Sequence, residues 1–166
     1  MATPDFVKRL RAQVGGDELL WLPGVNAVVV DEAERVLLHR RSDNGRWSLL
    51  SGILDPGEEP AHGVVREVLE ETGVRVVVER LAGVTVSPPR THPNGDRAQY
   101  LELTFRCRPV GGQAHVADEE SIEVGWFSPS DLPIDESSRR KVLAALADGP
   151  AVFTPAAACT DHAEAG

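Results

Sequence analysis

Residues 52–74 read GILDPGEEPAHGVVREVLEETGV and carry the strongest structural signal in the chain. Its Asp-Pro-Gly at 55–57 is a strong turn signal. Between residues 59 and 72 apolar side chains recur at helical spacing, and Gly73 follows where a helix would end. The apolar positions are Ala61, Val64, Val65, Val68 and Leu69. The stretch therefore predicts a turn followed by a half-buried helix.

Three glutamates occupy the same predicted helix, at Glu67, Glu70 and Glu71. Because a helix turns about 100° per residue, these positions share one face. Like charges this close destabilise a helix unless something compensates them, although a solvated acidic face is the ordinary alternative. Magnesium binds carboxylate oxygens together with substrate phosphates. We interpret the acidic face as a metal site, with the apolar positions Val65, Val68, Leu69 and Thr72 pointing away from it.

Two further residues fit such a site. Arg66 is expected to brace Glu58 or a metal-binding glutamate through forked hydrogen bonds. Gly52 lets the backbone approach the metal closely, so its carbonyl oxygen is a candidate ligand.

Length and composition limit the class of protein. A chain of 166 residues with 42% hydrophobic and 26% charged residues fits one globular domain, and a formal net charge of -9 argues against duplex nucleic acid as a partner. Cys107 and Cys159 lack the spacing of a zinc site or a disulfide framework, so we expect a reducing cytoplasm. No apolar run reaches the roughly 20 residues that span a membrane.

The rest of the chain predicts strands around the central helix. We expect an N-terminal helix over 4–14 with Phe6, Leu10 and Val14 on its apolar face, and a C-terminal helix over 135–147. Asp135 or Ser137 caps the second helix, which turns Val142, Leu143 and Leu146 inward. The predicted strands are 19–22, 25–30 and 36–39, which we interpret as a meander, followed by 47–50, 74–86, 99–107 and 122–127. The predicted division is a helical segment at 1–16, a domain at 17–149 and a flexible tail at 150–166.

The spacing of the central stretch matches G-x5-E-x7-R-E-U-x-E-E-x-G-U at every fixed position, where U is a bulky aliphatic residue. With this pattern the chain resembles the Nudix family, over about residues 20–130. The resemblance implies an α/β fold, the α/β/α sandwich with a mixed β-sheet. It also implies that water attacks phosphorus, and it assigns metal ligation to Glu67, Glu70 and Glu71, with the Gly52 carbonyl in support. Many relatives carry Pro and Gly where this chain has Leu50 and Ser51.

Further residues are candidates for the reaction and for substrate binding. Glu70 and Arg66 belong to the catalytic set, and Glu120 is our choice for a general base or an additional ligand, against the alternative of a solvated acidic loop. Arg41 and Arg46 are candidates for phosphate contacts. Trp47 is a candidate for stacking on a base, although burial in the core is its alternative. Trp21, Tyr100 and Arg40 are weaker candidates, and His39 and His92 have no recognisable catalytic partner.

We therefore expect Mg²⁺-dependent hydrolysis, with Mn²⁺ as a substitute, of a phosphoanhydride in a nucleoside diphosphate linked to another group. By resemblance, Pro88 and Pro89 place ADP-ribose-like compounds ahead of nucleoside triphosphates. The alternative is a non-catalytic nucleotide-binding regulator on the same fold. Isomerisation of isopentenyl diphosphate is disfavoured, because no cysteine precedes Cys107. A homodimer through the N-terminal helix and first strand is a further expectation.

Overall fold

The computed structural model describes residues 3–92 and 94–155. Within these residues the chain forms three helices and eight strands. The helices are α1 (Asp5–Val14), α2 (Pro60–Thr72) and α3 (Glu136–Leu146). The strands are β1 (Leu20–Val29), β2 (Val36–Arg41), β3 (Trp47–Ser48), β4 (Leu50–Ile53), β5 (Arg75–Val86), β6 (Arg90–Thr91), β7 (Arg97–Gly111) and β8 (Ser121–Phe127).

The strands form two sheets. The larger sheet has the order β4-β1-β7-β5, with β6 paired to β7, and the smaller has the order β3-β2-β8. Strand β1 runs parallel to β7, while the other pairs are antiparallel, so the predicted mixed sheet is confirmed. The predicted meander is wrong. The turn after β1, in which Asp31 accepts hydrogen bonds from the backbone N–H groups of Ala33 and Arg35, sends β2 into the other sheet.

Strand β1 separates two apolar cores. Alternate side chains of a strand point to opposite faces. Val25, Ala27 and Val29 accordingly pack with residues of α2, whereas Val28 and Val30 pack with residues of α3. The helices thus cover opposite faces of the sheet, which confirms the predicted α/β/α sandwich.

The outer helices confirm only part of the predicted apolar faces: the cores are contacted by Phe6, Val142 and Leu146, but not by Leu10, Val14 and Leu143. In α1 the buried residue is Val7, while Leu10 and Val14 are 37% and 48% exposed. Val7 packs beside Leu22, Ile53 and Ala98. The contact between α1 and the sheet is narrow, and the later turns of the helix lie outside it. In α3, Val142 and Ala145 are buried, whereas Leu143 is 60% exposed.

Part of the predicted tail is ordered against the sheet. The backbone N–H of Val152 donates to Ala82 O, and the N–H of Val84 donates to Val152 O, both at 2.9 Å. This pairing covers one edge of β5, so the prediction of a flexible tail is wrong for these residues. The remainder of that segment, with Cys159, lies outside the described residues.

Asp135 is the N-cap of α3. Its Oδ1 accepts a hydrogen bond from the backbone N–H of Ser138 at 3.0 Å. We expect Asp135→Ala to lower the free energy of unfolding by about 1 kcal/mol, because that N–H loses its partner. Urea unfolding measures the change. Ser137→Ala is the matched control, and an equal effect of both substitutions would contradict the assignment.

Candidate active site

A cleft of about 1590 Å³ is lined by residues of both sheets and all three helices. It adjoins a smaller cavity of about 260 Å³, and Ile53, Glu70, Asp118 and Glu120 line both. The other residues of the smaller cavity are Pro4, Asp5, Asp55, Arg66 and Glu67. The acidic part of α2 therefore opens onto a space large enough for a nucleotide.

Glu67 lies directly beneath Gly52. Glu67 is 9% exposed. A Cβ placed on Gly52 would stand 1.9 Å from both Cδ and Oε1 of Glu67. No side chain fits between the two. Gly52 is thus required so that α2 can bring this carboxylate against β4.

Glu71 is the most deeply buried of the three glutamates, at 2% exposure. Its Oε1 lies 3.9 Å from His39 Nδ1, and its Oε2 has no hydrogen-bond partner among the described residues. Burial raises the pKa of Glu71 well above its ordinary value, and the charges of Glu67 and Asp118 raise it further. An anionic Glu71 is therefore costly unless a cation compensates it.

His39 stands beside this carboxylate. It is 1% exposed, and its Nδ1 lies 2.9 Å from Ser121 Oγ. Burial lowers the pKa of His39 to about 4, and the Arg41 charge acts in the same direction, so the ring is neutral at pH 7. No local pattern places His39 near the site, because its neighbour Glu71 is remote along the chain.

Arg66 holds three carboxylates. Its Nε and Nη2 donate to Glu58 at 2.8 and 2.9 Å, and its Nη1 donates to Glu67 at 2.9 Å and to Glu70 at 3.2 Å. The forked contact with Glu58 predicted from the sequence is present. Since the guanidinium is planar, it fixes the relative positions of these carboxylates.

The three glutamates, at i, i+3 and i+4 on one side of α2, differ in burial, which their spacing does not predict. Glu67 and Glu71 are buried against the sheet, whereas the side chain of Glu70 is 57% exposed and Leu69 is 45% exposed. Helix α2 packs against β4 through the line of positions that contains Glu67 and Glu71, one turn apart, which leaves Glu70 at the rim. Across residues 3–92 and 94–155, no three acidic, histidine or cysteine side chains converge closely enough to hold one ion.

The donor chemistry nevertheless fits a hard divalent cation. The donors are carboxylate oxygens, and Glu71 Oε2 is buried without a hydrogen bond in the described structure. Burial also raises the pKa of Glu67, and the charge of Glu70 contributes to the increase. A cation would compensate the repulsion that these groups experience.

Comparison with known proteins agrees with this geometry. The family model described as the NUDIX domain matches residues 20–146. The chain belongs to the Nudix family. It is 44% identical over 108 residues to a "MutT-like protein" of Streptomyces ambofaciens, which covers 65% of this chain and 64% of that protein. It is 32% identical over 122 residues to a "Putative 8-oxo-dGTP diphosphatase" of Bacillus subtilis, with coverages of 74% and 76%.

A solved structure, the MutT protein from Methanosarcina mazei Go1, is similar to this Nudix protein with a TM-score of 0.61 and 26% identity. The match covers 76% of this chain and 93% of that one. For the Streptomyces relative named above, the matched region is just under two thirds of that protein's length. The relatives and structural neighbours are Nudix hydrolases and pyrophosphatases, an enzyme class whose members generally use divalent metal ions.

The structure brings Glu120 of this Nudix protein to the small cavity, together with Asp118. The backbone N–H of Glu120 donates to Asp118 Oδ1 at 3.1 Å, and its carbonyl accepts from the N–H of Ser42 at 2.7 Å. Sequence reasoning missed Asp118, because a loop has no periodicity that ranks one acidic residue above its neighbours. It also missed Asp5, which reaches the cavity from α1.

The three predicted substrate-binding residues all line the cleft. Arg41 makes a forked contact with Asp43 at 2.9 and 2.7 Å, whereas Arg46 is exposed. Trp47 is half-buried and packs edge-on against Phe127, with 4.6 Å between ring centroids, so it is partly core and partly cleft wall.

The weaker candidates divide between the cleft and the outer surface. Tyr100 and His92 line the cleft, and Tyr100 Oη lies 2.9 Å from His92 Nε2. Trp21 and Arg40 are not among the described residues that line it.

Replacing Arg66 with lysine tests the role of the forked contacts. A lysine has no planar fork, so Glu58, Glu67 and Glu70 would no longer share one rigid partner. We expect Arg66→Lys to lower kcat by about 10- to 100-fold with little change in thermal stability. Steady-state kinetics and thermal unfolding measure the two effects. Arg140→Lys, at an exposed ion pair of α3, is the control, and equal kcat values for both variants would contradict this role.

Proposed function

We propose that this Nudix protein hydrolyses a phosphoanhydride bond in a nucleoside diphosphate linked to another group, with Mg²⁺ as the cation and Mn²⁺ as a substitute. One observation carries the proposal. Two buried carboxylates of α2, Glu67 and Glu71, lie one turn apart: Glu67 lines the smaller cavity that adjoins the nucleotide-sized cleft, and Glu71 Oε2 has no hydrogen bond among the described residues. Such a pair is stable when a cation compensates its charge.

Glu67 and Glu71, with Glu70 and the Gly52 carbonyl, are the proposed cation ligands, and they would have to close around the cation because no three of these side chains converge in the described structure. When bound, the cation would neutralise negative charge on the phosphates and make a water molecule more acidic. Glu67 is positioned by close packing against Gly52, which has no side chain, and by the Arg66 guanidinium beside it. Glu70, at the rim, is accessible to phosphates that enter from the cleft.

The remaining catalytic step is removal of a proton from the attacking water. We assign this role to Glu120, which lines the small cavity beside Glu67 and Glu70. Arg41 and Arg46, which line the cleft, are the proposed phosphate contacts, and Trp47 offers an aromatic face to the nucleoside.

The leaving group and the nucleoside are the open parts of the proposal. The Bacillus relative is named a putative 8-oxo-dGTP diphosphatase, and an "ADP-ribose pyrophosphatase" of Methanocaldococcus jannaschii is 31% identical over 118 residues. Pro88 and Pro89, which suggested ADP-sugars, are exposed and are not among the described residues that line the cleft. The preference for ADP-ribose-like compounds therefore stays a prediction.

A substrate screen tests the proposed function. Nucleoside diphosphate sugars, dinucleoside polyphosphates and nucleoside triphosphates are incubated with the protein and Mg²⁺, and released mononucleotide and phosphate are identified by mass spectrometry. We expect a mononucleotide product that disappears when the cation is chelated. Saturable nucleotide binding without product in either Mg²⁺ or Mn²⁺ would instead favour the non-catalytic regulator.

Location and assembly are separate predictions. None of the helices in the described ranges is long and apolar enough to cross a membrane. The cytoplasm remains the predicted location. Strand β1 has both edges paired, to β4 and β7, so a homodimer would have to use α1 or another surface.

A further inference from the structure

An ion pair between Glu102 and Lys141 lines the cleft apart from the glutamates of α2. Lys141 Nζ lies 2.9 Å from Glu102 Oε1, and the two side chains are 10% and 14% exposed for Lys141 and Glu102. Lys141 Nζ also donates to Asn26 Oδ1 at 3.4 Å. Asn26, at 7% exposure, lines the same cleft. Three nearly buried polar residues thus meet where a substrate would lie.

Three elements fix this group in place. Glu102 on β7 pairs with Gly24 of β1, and Asn26 stands two residues further along β1, so both occupy the sheet face that α3 covers. Helix α3 carries Lys141 over that face. Its N-terminus is held by the Asp135 cap, and its C-terminal carbonyls, including those of Ala144 and Ala145, accept hydrogen bonds from Arg80.

A nearly buried ion pair such as Glu102–Lys141 adds little to the free energy of unfolding. Removing two charges from water costs several kcal/mol, and apolar residues of similar size often serve equally well at such positions. Two other ion pairs of the described structure are more exposed: Arg106–Glu79 has side chains that are 29% and 35% exposed, and Arg140–Glu136 has 77% and 68%. Burial at a cleft wall indicates a role in recognition.

The group keeps hydrogen-bonding capacity towards the cleft. Lysine has three N–H donors; Lys141 uses one of them on Asn26 and forms an ion pair with Glu102. Glu102 Oε2 is 3.5 Å from Thr85 Oγ1, at the outer limit of a hydrogen bond, so it can accept from a ligand. The wall therefore presents a cationic donor beside an anionic acceptor.

We propose that Glu102 and Lys141 read the base of the substrate nucleotide and select a 6-oxopurine such as guanine. The inference rests on the proposed function for the phosphate end of the cleft. Guanine carries a carbonyl, O6, beside the N1–H and N2–H donors. Lysine donates readily to O6, and a carboxylate accepts from adjacent N–H groups in charge-assisted bonds. Adenine offers one N–H donor and a ring nitrogen on the same edge, so it makes fewer such bonds.

Binding of nucleoside monophosphates tests this assignment without turnover, because they contain no phosphoanhydride bond. GMP, IMP and AMP are titrated into the protein with Mg²⁺ by calorimetry. We expect GMP to bind about tenfold or more tightly than AMP, with IMP between them because it lacks the N2 amino group. Tighter binding of GMP would contradict the adenine preference that Pro88 and Pro89 suggested, and tighter binding of AMP would support it.

The double variant Glu102→Leu/Lys141→Met removes both charges together, so neither is left buried without its partner. We expect it to bind GMP and AMP within about twofold of each other. Glu136→Gln/Arg140→Met, the exposed pair on the same helix, should keep the GMP preference. If the double variant does not fold, Glu102→Gln decides: a reduced preference supports the assignment, and an unchanged one overturns it.

Three results overturn the inference: AMP binds wild type as tightly as GMP, neither nucleotide binds at millimolar concentration, or the folded double variant keeps the preference for GMP. Failure of the proposed function has a different signature. In that case GMP binding and its dependence on Glu102 and Lys141 persist, while no nucleotide derivative is hydrolysed in the screen.

Discussion

Replacing Glu71 with glutamine will separate activity from stability. Glutamine keeps the shape of the side chain but has no negative charge to offer a cation, so we expect kcat/KM to fall about a hundredfold or more. Without divalent cations the variant should be at least as stable as wild type, because it removes a buried carboxylate whose Oε2 has no hydrogen bond in the described structure.

The pH dependence of stability follows from the direction of the pKa shift. Burial raises the pKa of Glu71 in the folded protein above its ordinary value of 4.5, so the folded state binds this proton more tightly than the unfolded state. The resulting stability is complete below the ordinary carboxyl range and is lost as pH rises towards the raised pKa. In chelator, wild type should therefore lose more stability than Glu71→Gln over this rise.

Urea unfolding at several pH values and steady-state hydrolysis of the substrate found in the screen check both parts. Glu32→Gln, which removes an exposed carboxylate, is the matched control and should change neither quantity. Undiminished hydrolysis by Glu71→Gln would refute the metal role. A loss of activity that is fully explained by a loss of stability would refute it as well.

Adding one methyl group at Gly52 will damage both fold and activity. A Cβ there would stand 1.9 Å from the Glu67 carboxyl, so β4 and α2 must separate or the carboxylate must move. We expect Gly52→Ala to lower the free energy of unfolding by about 1–3 kcal/mol, as overpacked substitutions do. Since Glu67 leaves its position, we also expect about a hundredfold loss of kcat/KM.

Gly24→Ala provides the comparison for stability. A Cβ at Gly24 meets its nearest atom, the Gly52 carbonyl oxygen, at 3.5 Å, which is an ordinary contact. Chemical denaturation and steady-state kinetics measure the effects of Gly52→Ala. If both glycine variants unfold at the same urea concentration, close packing of Glu67 is not the reason for Gly52.

The sequence predicted the fold where local pattern and tertiary structure agree. Helix α2, its cap at Gly73 and the strands on either side follow from periodicity, and the full spacing from Gly52 to Val74 identified the family. Periodicity failed where it had to distinguish a buried polar residue from an exposed one. Glu71 lies in the core and Leu143 lies on the surface, and each contradicts its usual preference.

Features that depend on pairs distant in sequence could not be predicted. The contact of His39 with Glu71 and that of Glu102 with Lys141 join elements that no local rule connects. The meander was wrong for the same reason. Consecutive strands are usually neighbours, but β1 pairs with β7, far along the chain, and this partner is set by packing on both faces of the sheet.

Two regions of the site differ in how readily substitutions can change them. Glu67 and Glu71 lie in the packed contact of α2 with β4. A methyl group added at Gly52 would clash there with Glu67. Arg41 to Trp47 instead occupy a largely exposed turn, where insertions and substitutions are tolerated. Substitutions in this turn can therefore alter the proposed choice of substrate while they leave the proposed cation ligands in place.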